Sequence, residues 1–186
     1  MPFQLVPLGL AGVFELLPRR IEDSRGYFAE TFSAAQMHSA GLISSWVQDN
    51  QSLSRAPHTL RGLHFQRAPH AQAKLVRALH GRVLDVVVDI RPDSPSFKQW
   101  LSLELSVERF NQIYIPAGFA HGFVTLEADS VVAYKVSSPY AAAAEGSIRW
   151  DDPALAIDWQ LHGQAPVLSD KDAVAPLIDE ARLASL

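Results

Sequence analysis

Gly81-Arg82-Val83-Leu84-Asp85-Val86-Val87-Val88-Asp89-Ile90 alternates with a period of two: Leu84, Val86, Val88 and Ile90 share one face, and Asp85, Val87 and Asp89 share the other. That period marks a β-strand, because successive side chains of an extended chain point to opposite sides. Working outward, Leu101, Leu103 and Leu105 oppose Trp100, Ser102 and Glu104 in the same manner, and 74–79, 112–115, 121–126 and 131–137 are further strand candidates. Turns separate them at Arg91-Pro92-Asp93-Ser94-Pro95, Pro116-Ala117-Gly118 and Glu127-Ala128-Asp129. Many short strands without long intervening helices predict an all-β sandwich or barrel.

Helix is expected in two short places. Residues 33–40 have Ser33 as N-cap and Gly41 as the C-terminal stop. Ser169-Asp170-Lys171-Asp172 reads as a capping box before a helix over 173–183, with Pro176 breaking or delaying it. No repeat or linker interrupts the chain, so 1–186 reads as a single domain.

At 186 residues, 48% hydrophobic and 19% charged, the chain can bury a substantial core. A formal net charge of −4 with no basic stripe argues against nucleic acid as a partner. There is no cysteine, which rules out disulfides and thiolate metal sites. The apolar stretch 5–17 lacks a basic start and contains Pro7 and Glu15, so it reads neither as a signal sequence nor as a membrane span. A cytoplasmic protein with no membrane partner is expected.

The chemistry gathers around Arg61-Gly62-Leu63-His64-Phe65-Gln66 and Lys74. Strands that carry a histidine and a lysine inward bury ionisable groups, which is costly without partners. A neutral imidazole can remove a proton beside a carbonyl, and an ammonium can steady the resulting enolate. The plain alternatives are a hydrogen-bonded core histidine and a lysine whose head snorkels to solvent. Tyr134 shares a strand face with Val132 and Val136, taken as the inner face, and is either a core tyrosine bonded to a carbonyl or a group facing substrate. Gln48 and Asn50 sit at alternate positions of a polar run, either in a surface loop or on a strand edge reading a ligand. Arg25, beside Gly26, is either a solvated turn charge or an anion contact, and Asp172 is either the third residue of a capping box or the carboxylate that orients His64.

A metal site would follow from Pro116 to His121, a turn delivering a second histidine, if the first motif carried His-x-His and a glutamate. It reads His64-Phe65-Gln66, with no acid just downstream, so metal is disfavoured.

In order along the chain, Arg25-Gly26 with Phe28 and Glu30, Gln48-Asp49-Asn50, Arg61 to Gln66, Lys74-Leu75-Val76-Arg77, Ile115 to Phe123, Tyr134-Lys135, Ile148 to Pro153 and Leu168 to Asp172 resemble the dTDP-4-dehydrorhamnose 3,5-epimerase family. The resemblance runs from about Gly12 to Ile178. It implies a cupin-like jelly roll (double-stranded β-helix), a homodimer with N-terminal strands at its interface, and epimerisation without a cofactor or metal. It also implies a dTDP-4-keto-6-deoxyhexose substrate. His64 matches the family's base, Asp172 its acidic partner, Tyr134 the opposed proton donor and Lys74 the lysine near the C4 oxygen. His121 lines the same pocket, and Arg61 and Lys171 match substrate-binding positions. Arg25, Glu30, Gln48, Asp49 and Asn50 match nucleotide-end positions, some supplied across the dimer; Tyr140 matches the aromatic on thymine and Glu145 a further binding position.

Two departures are Ala142, where the family often has proline, and Ala73, where it has glycine before the lysine. The competing readings are a single-carbon epimerase of a related sugar, a metal-binding cupin and a non-catalytic nucleotide-sugar module.

Overall fold

The computed structural model describes residues 2–179 together with Ala181 and Leu183. The N-terminal apolar stretch divides into β1 (Phe3–Pro7) and β2 (Phe14–Pro18), an antiparallel hairpin. Its turn uses Gly12 at φ +87°, a backbone conformation that glycine adopts without penalty. Among the described residues no helix is long and apolar enough to cross a membrane.

A small exposed hairpin follows, β3 (Ile21–Asp23) and β4 (Gly26–Phe28). Next comes α1 (Ala34–Ser39), where Ser33 Oγ accepts the Gln36 N–H and Gly41 takes φ +72°. The expected cap and stop are both in place.

The body then alternates strand and turn: β5 (Gln48–Ser54), β6 (Leu60–Gln66), β7 (Lys74–His80), β8 (Arg82–Asp89), β9 (Trp100–Ser106), β10 (Gln112–Ile115), β11 (Phe119–Thr125) and β12 (Ser130–Val136). A 3-10 turn (Ala142–Ala144), β13 (Glu145–Ser147) and α2 (Asp170–Ala173) complete the elements. The expected strands fall on β7 to β12 with ends displaced by a residue or two. The C-terminal helix is corrected. It is four residues long, starts inside the capping box and ends at Ala173, because Pro176 lacks the N–H that a continuing helix would need. Of the expected span 173–183, positions 180 and 182 lie outside the described residues.

Two antiparallel sheets face one another in a jelly roll. One has six strands in the order β1-β2-β10-β7-β12-β5, the other five in the order β13-β6-β11-β8-β9. Between them pack Val76, Val83, Val87, Ile113, Phe119, Phe123 and Val132. Outside the five-stranded sheet, Leu84, Val86, Val88 and Ile90 are covered by Leu155, Trp159 and Ile178 of the C-terminal segment. Both faces of β8 are therefore buried, which accounts for its nearly unbroken run of valines. Outside the six-stranded sheet, α1 seats Met37 on Phe3, Leu16, Leu75 and Tyr114. Apolar packing thus fills one part of the space between the sheets and leaves polar side chains to line the rest.

Candidate active site

Each predicted reacting group arrives on a strand wall. His64 on β6 stands directly opposite His121 on β11, within the five-stranded sheet. Facing them, Lys74 on β7 pairs with Val136 while Tyr134 on β12 pairs with Val76, which makes Lys74 and Tyr134 diagonal neighbours on one face. Imidazoles and phenol therefore come from opposite walls of one cavity of about 510 Å³. Gly62, two residues before His64, and Gly122, next to His121, have a steric cause. A Cβ on Gly62 would fall 2.6 Å from Gly122 Cα, and one on Gly122 would fall 2.8 Å from the Arg61 carbonyl oxygen. Only glycine lets β6 and β11 approach this closely.

His64 Nε2 lies 2.6 Å from Asp172 Oδ1, and Asp172 is buried. Asp172 is at once the third residue of the capping box and the carboxylate in contact with His64. Ser169 Oγ accepts the Asp172 backbone N–H at 3.2 Å, which caps α2, and donates to Asp172 Oδ2 at 2.9 Å. Burial pushes the Asp172 carboxyl up, but His64, Ser169 and the Gly62 N–H hold it below the usual carboxylate range. An ionised carboxylate on Nε2 fixes the ring tautomer with the proton on that nitrogen, leaving the Nδ1 lone pair to act as base.

His121 repeats the pattern with a second carboxylate: its Nε2 is 2.8 Å from Asp85 Oδ2, and both residues are buried. Burial is the dominant influence on His121 and lowers its pKa despite Asp85, so the ring stays neutral. Lys74 is buried, with its Nζ 3.4 Å from the His64 carbonyl oxygen. Burial lowers its pKa to about 8, while Asp85 and Glu145 oppose that drop. Tyr134 is half-buried, and burial raises its phenol against a smaller opposing influence from Arg61. It is thus a protonated donor at neutral pH.

The outer part of the cavity is polar. Gln48 and Asn50 point inward from β5, an edge strand rather than a loop, and Gln48 donates to Asn50 at 2.7 Å. Arg61 is tied to that edge by its bonds to Ser54 Oγ and the Leu53 carbonyl. Across the mouth, the Tyr140 hydroxyl donates to Glu145 Oε2 at 3.1 Å, and Lys171 pairs with Glu145 Oε1. Gln66 is occupied structurally: its amide donates to the His70 and Pro139 carbonyls and accepts the Ala141 N–H, which anchors the Tyr140 loop.

Three expected residues lie away from this cavity. Asp49 points out of the opposite face of β5 and pairs with Lys135. Arg25, at the tip of the β3–β4 hairpin, pairs with Asp23 in solvent, and Glu30 is exposed just beyond β4. The residue that sequence reasoning passed over is Asp85. Its signal was available: an acid in a run of Val and Leu, on the same face as Val83 and Val87, must be buried and so needs a partner.

Fold and cavity together define the class of a jelly-roll isomerase, with His64 and Tyr134 on opposing sheets. The family model for dTDP-4-dehydrorhamnose 3,5-epimerase matches residues 7–180. The dTDP-4-dehydrorhamnose 3,5-epimerase of Sinorhizobium fredii is 47% identical over 173 residues, 93% of this chain and 88% of that one. The dTDP-6-deoxy-D-glucose-3,5-epimerase of Legionella pneumophila, solved in complex with dTDP-4-keto-L-rhamnose, superposes with a TM-score of 0.90 at 42% identity, covering 96% of this chain and 94% of that one. ChmJ, a 3'-monoepimerase of Streptomyces bikiniensis solved with dTDP-quinovose, superposes with a TM-score of 0.87 at 35% identity, covering 94% and 87%. The chain belongs to the dTDP-4-dehydrorhamnose 3,5-epimerase family.

Proposed function

We propose that this chain inverts both C3 and C5 of dTDP-4-dehydro-6-deoxy-D-glucose to give dTDP-4-dehydro-β-L-rhamnose, with His64 as base, Tyr134 as acid and Lys74 as oxyanion stabiliser. The observation that carries this reading is the placement of His64 and Tyr134 on facing sheets with Lys74 beside Tyr134. Both carbons flank the C4 ketone, which acidifies their protons, so the reaction needs no redox cofactor. His64 Nδ1 takes the proton from one face of the sugar, and the C–H electron pair moves onto O4. The Lys74 ammonium meets that charge in a largely desolvated cavity, where one such donor contributes on the order of 3 kcal/mol. Tyr134 then delivers a proton to the opposite face as the enolate collapses, and the centre is inverted. Once His64 has released its proton to solvent and Tyr134 has regained one, the same sequence at the other carbon completes the reaction.

Gln48, Asn50, Tyr140, Lys171 and Arg61 are assigned to the nucleotide and diphosphate, since they line the outer cavity with amides, an aromatic ring and two cations. A homodimer belongs to the same proposal. The β3–β4 hairpin holds Phe28 at 69% exposure beside Arg25 and Glu30, and docking it on a second copy would bury that ring and bring both charges to the neighbouring cavity. The cytoplasm is the proposed compartment, in keeping with a nucleotide-sugar substrate.

The test is incubation with the 4-keto sugar nucleotide in D2O, followed by NMR at C3 and C5. Deuterium and inversion at both carbons are expected. Label at one carbon only would move the protein to the single-carbon epimerases, and no label would sink the reading.

A further inference from the structure

Asp85 lies on the side of β8 that faces the other sheet, with Val83 and Val87, and none of its surface is exposed. Its Oδ2 accepts from His121, whereas Oδ1 is buried and has no hydrogen-bond partner among the described residues. His121 is neutral, so it leaves the Asp85 charge uncompensated. A buried carboxylate in that state needs a nearby cation.

The charged and titratable groups facing Lys74 are His64 and Arg61 from β6, Asp85 from β8, His121 from β11, Tyr134 from β12, Glu145 at the head of β13, and Lys171 and Asp172 from α2. Three of these are acids. Asp172 is committed to His64 and Ser169, and Glu145 to Lys171 and Tyr140. Asp85 alone among them keeps an oxygen without a donor. Lys74 for its part makes one long bond, to a carbonyl oxygen, among the described residues.

We propose that Asp85 is a positioning residue for the reaction: one oxygen orients His121, and the negative charge of the carboxylate keeps Lys74 an ammonium ready to meet the substrate oxyanion. The charge acts from beneath His121, so it sustains the ammonium without occupying the position that the C4 oxygen needs. Lys74 stays weakly held and free to turn toward substrate. The proposal rests on the epimerase reading for its catalytic consequence, while the ionisation of Lys74 can be read without turnover.

Asp85→Asn separates orientation from charge, because the asparagine oxygen can still accept from His121. In that variant the alkaline limb of kcat/KM, and the Lys74 midpoint followed by NMR of labelled lysine, should both fall at least one pH unit below the wild-type midpoint near 8. Asp85→Glu should restore both toward wild type. If Asp85→Asn fails to fold, Asp85→Leu with His121→Phe replaces the buried pair by apolar groups, and the Lys74 midpoint should fall in the same way. An unchanged Lys74 midpoint in a folded charge-removing variant overturns the proposal. Wild-type protein without deuterium exchange would overturn the epimerase reading, with the Lys74 midpoint still deciding the role of Asp85.

Discussion

Asp172 binds His64 across 108 residues of sequence at 2.6 Å while its own backbone N–H is capped by Ser169. Asp172 thereby joins the Ser169 cap of α2 to the His64 ring and holds that ring in one tautomer. Asp172→Asn should leave the helix cap in place and lower kcat by on the order of 10³-fold or more, because an amide no longer holds the ring as a carboxylate does. Ser169→Ala should cost about 1 kcal/mol of stability through the lost cap, read by urea unfolding, with a smaller loss of kcat.

His64→Ala should abolish deuterium exchange at both carbons, a loss on the order of 10²–10⁴-fold. Exchange near the wild-type rate would show that another group is the base.

Tyr134→Phe keeps the ring and removes the proton. Deuterium should still enter from the His64 side while inversion stalls, so NMR should find labelled starting sugar. Equal loss of exchange and inversion would mean that the two walls do not divide the work.

Lys74 links activity and stability to pH in opposite directions. As pH rises through about 8 the ammonium is lost and kcat/KM should fall. Its folded value lies below the 10.5 of an ordinary lysine. Between those two pH values the unfolded chain therefore binds the extra proton, and this group's contribution to stability rises with pH. That rise is on the order of 3 kcal/mol. Lys74→Met should lack it, as a comparison of urea midpoints at pH 7.5 and 10 would reveal; parallel pH profiles for the two proteins would contradict the buried ammonium.

Arg25→Ala should raise KM with little change in kcat, and Phe28→Asp should yield monomers by sedimentation. Mixing inactive His64→Ala with Arg25→Ala should restore low-KM turnover only if Arg25 serves the neighbouring subunit's cavity. Failure of that complementation in a confirmed mixed dimer would confine Arg25 to its own subunit.

The all-β class, the strands around 82–90 and the α1 cap were legible from periodicity and capping residues, because these are local properties of the chain. His64, Lys74 and Tyr134 were also legible as candidates, since an ionisable group on an apolar strand face raises the question of its partner, and Asp172 was legible as the third residue of a capping box. The partners were not legible, because periodicity carries no information about which strand lies opposite which. Pro176 shortened α2 beyond what the capping box implied, and β5 became an edge strand by pairing with β12 far along the chain, from Ser54 opposite Ser130 to Gln48 opposite Val136. What the sequence determined by itself was the inventory of ionisable candidates and, for those on strands, the faces they occupy. The tertiary structure decided the pairings: His64 with Asp172, His121 with Asp85, and Lys74 beside Tyr134. Those contacts join distant segments, and their strength comes from the desolvated space that only two closed sheets create.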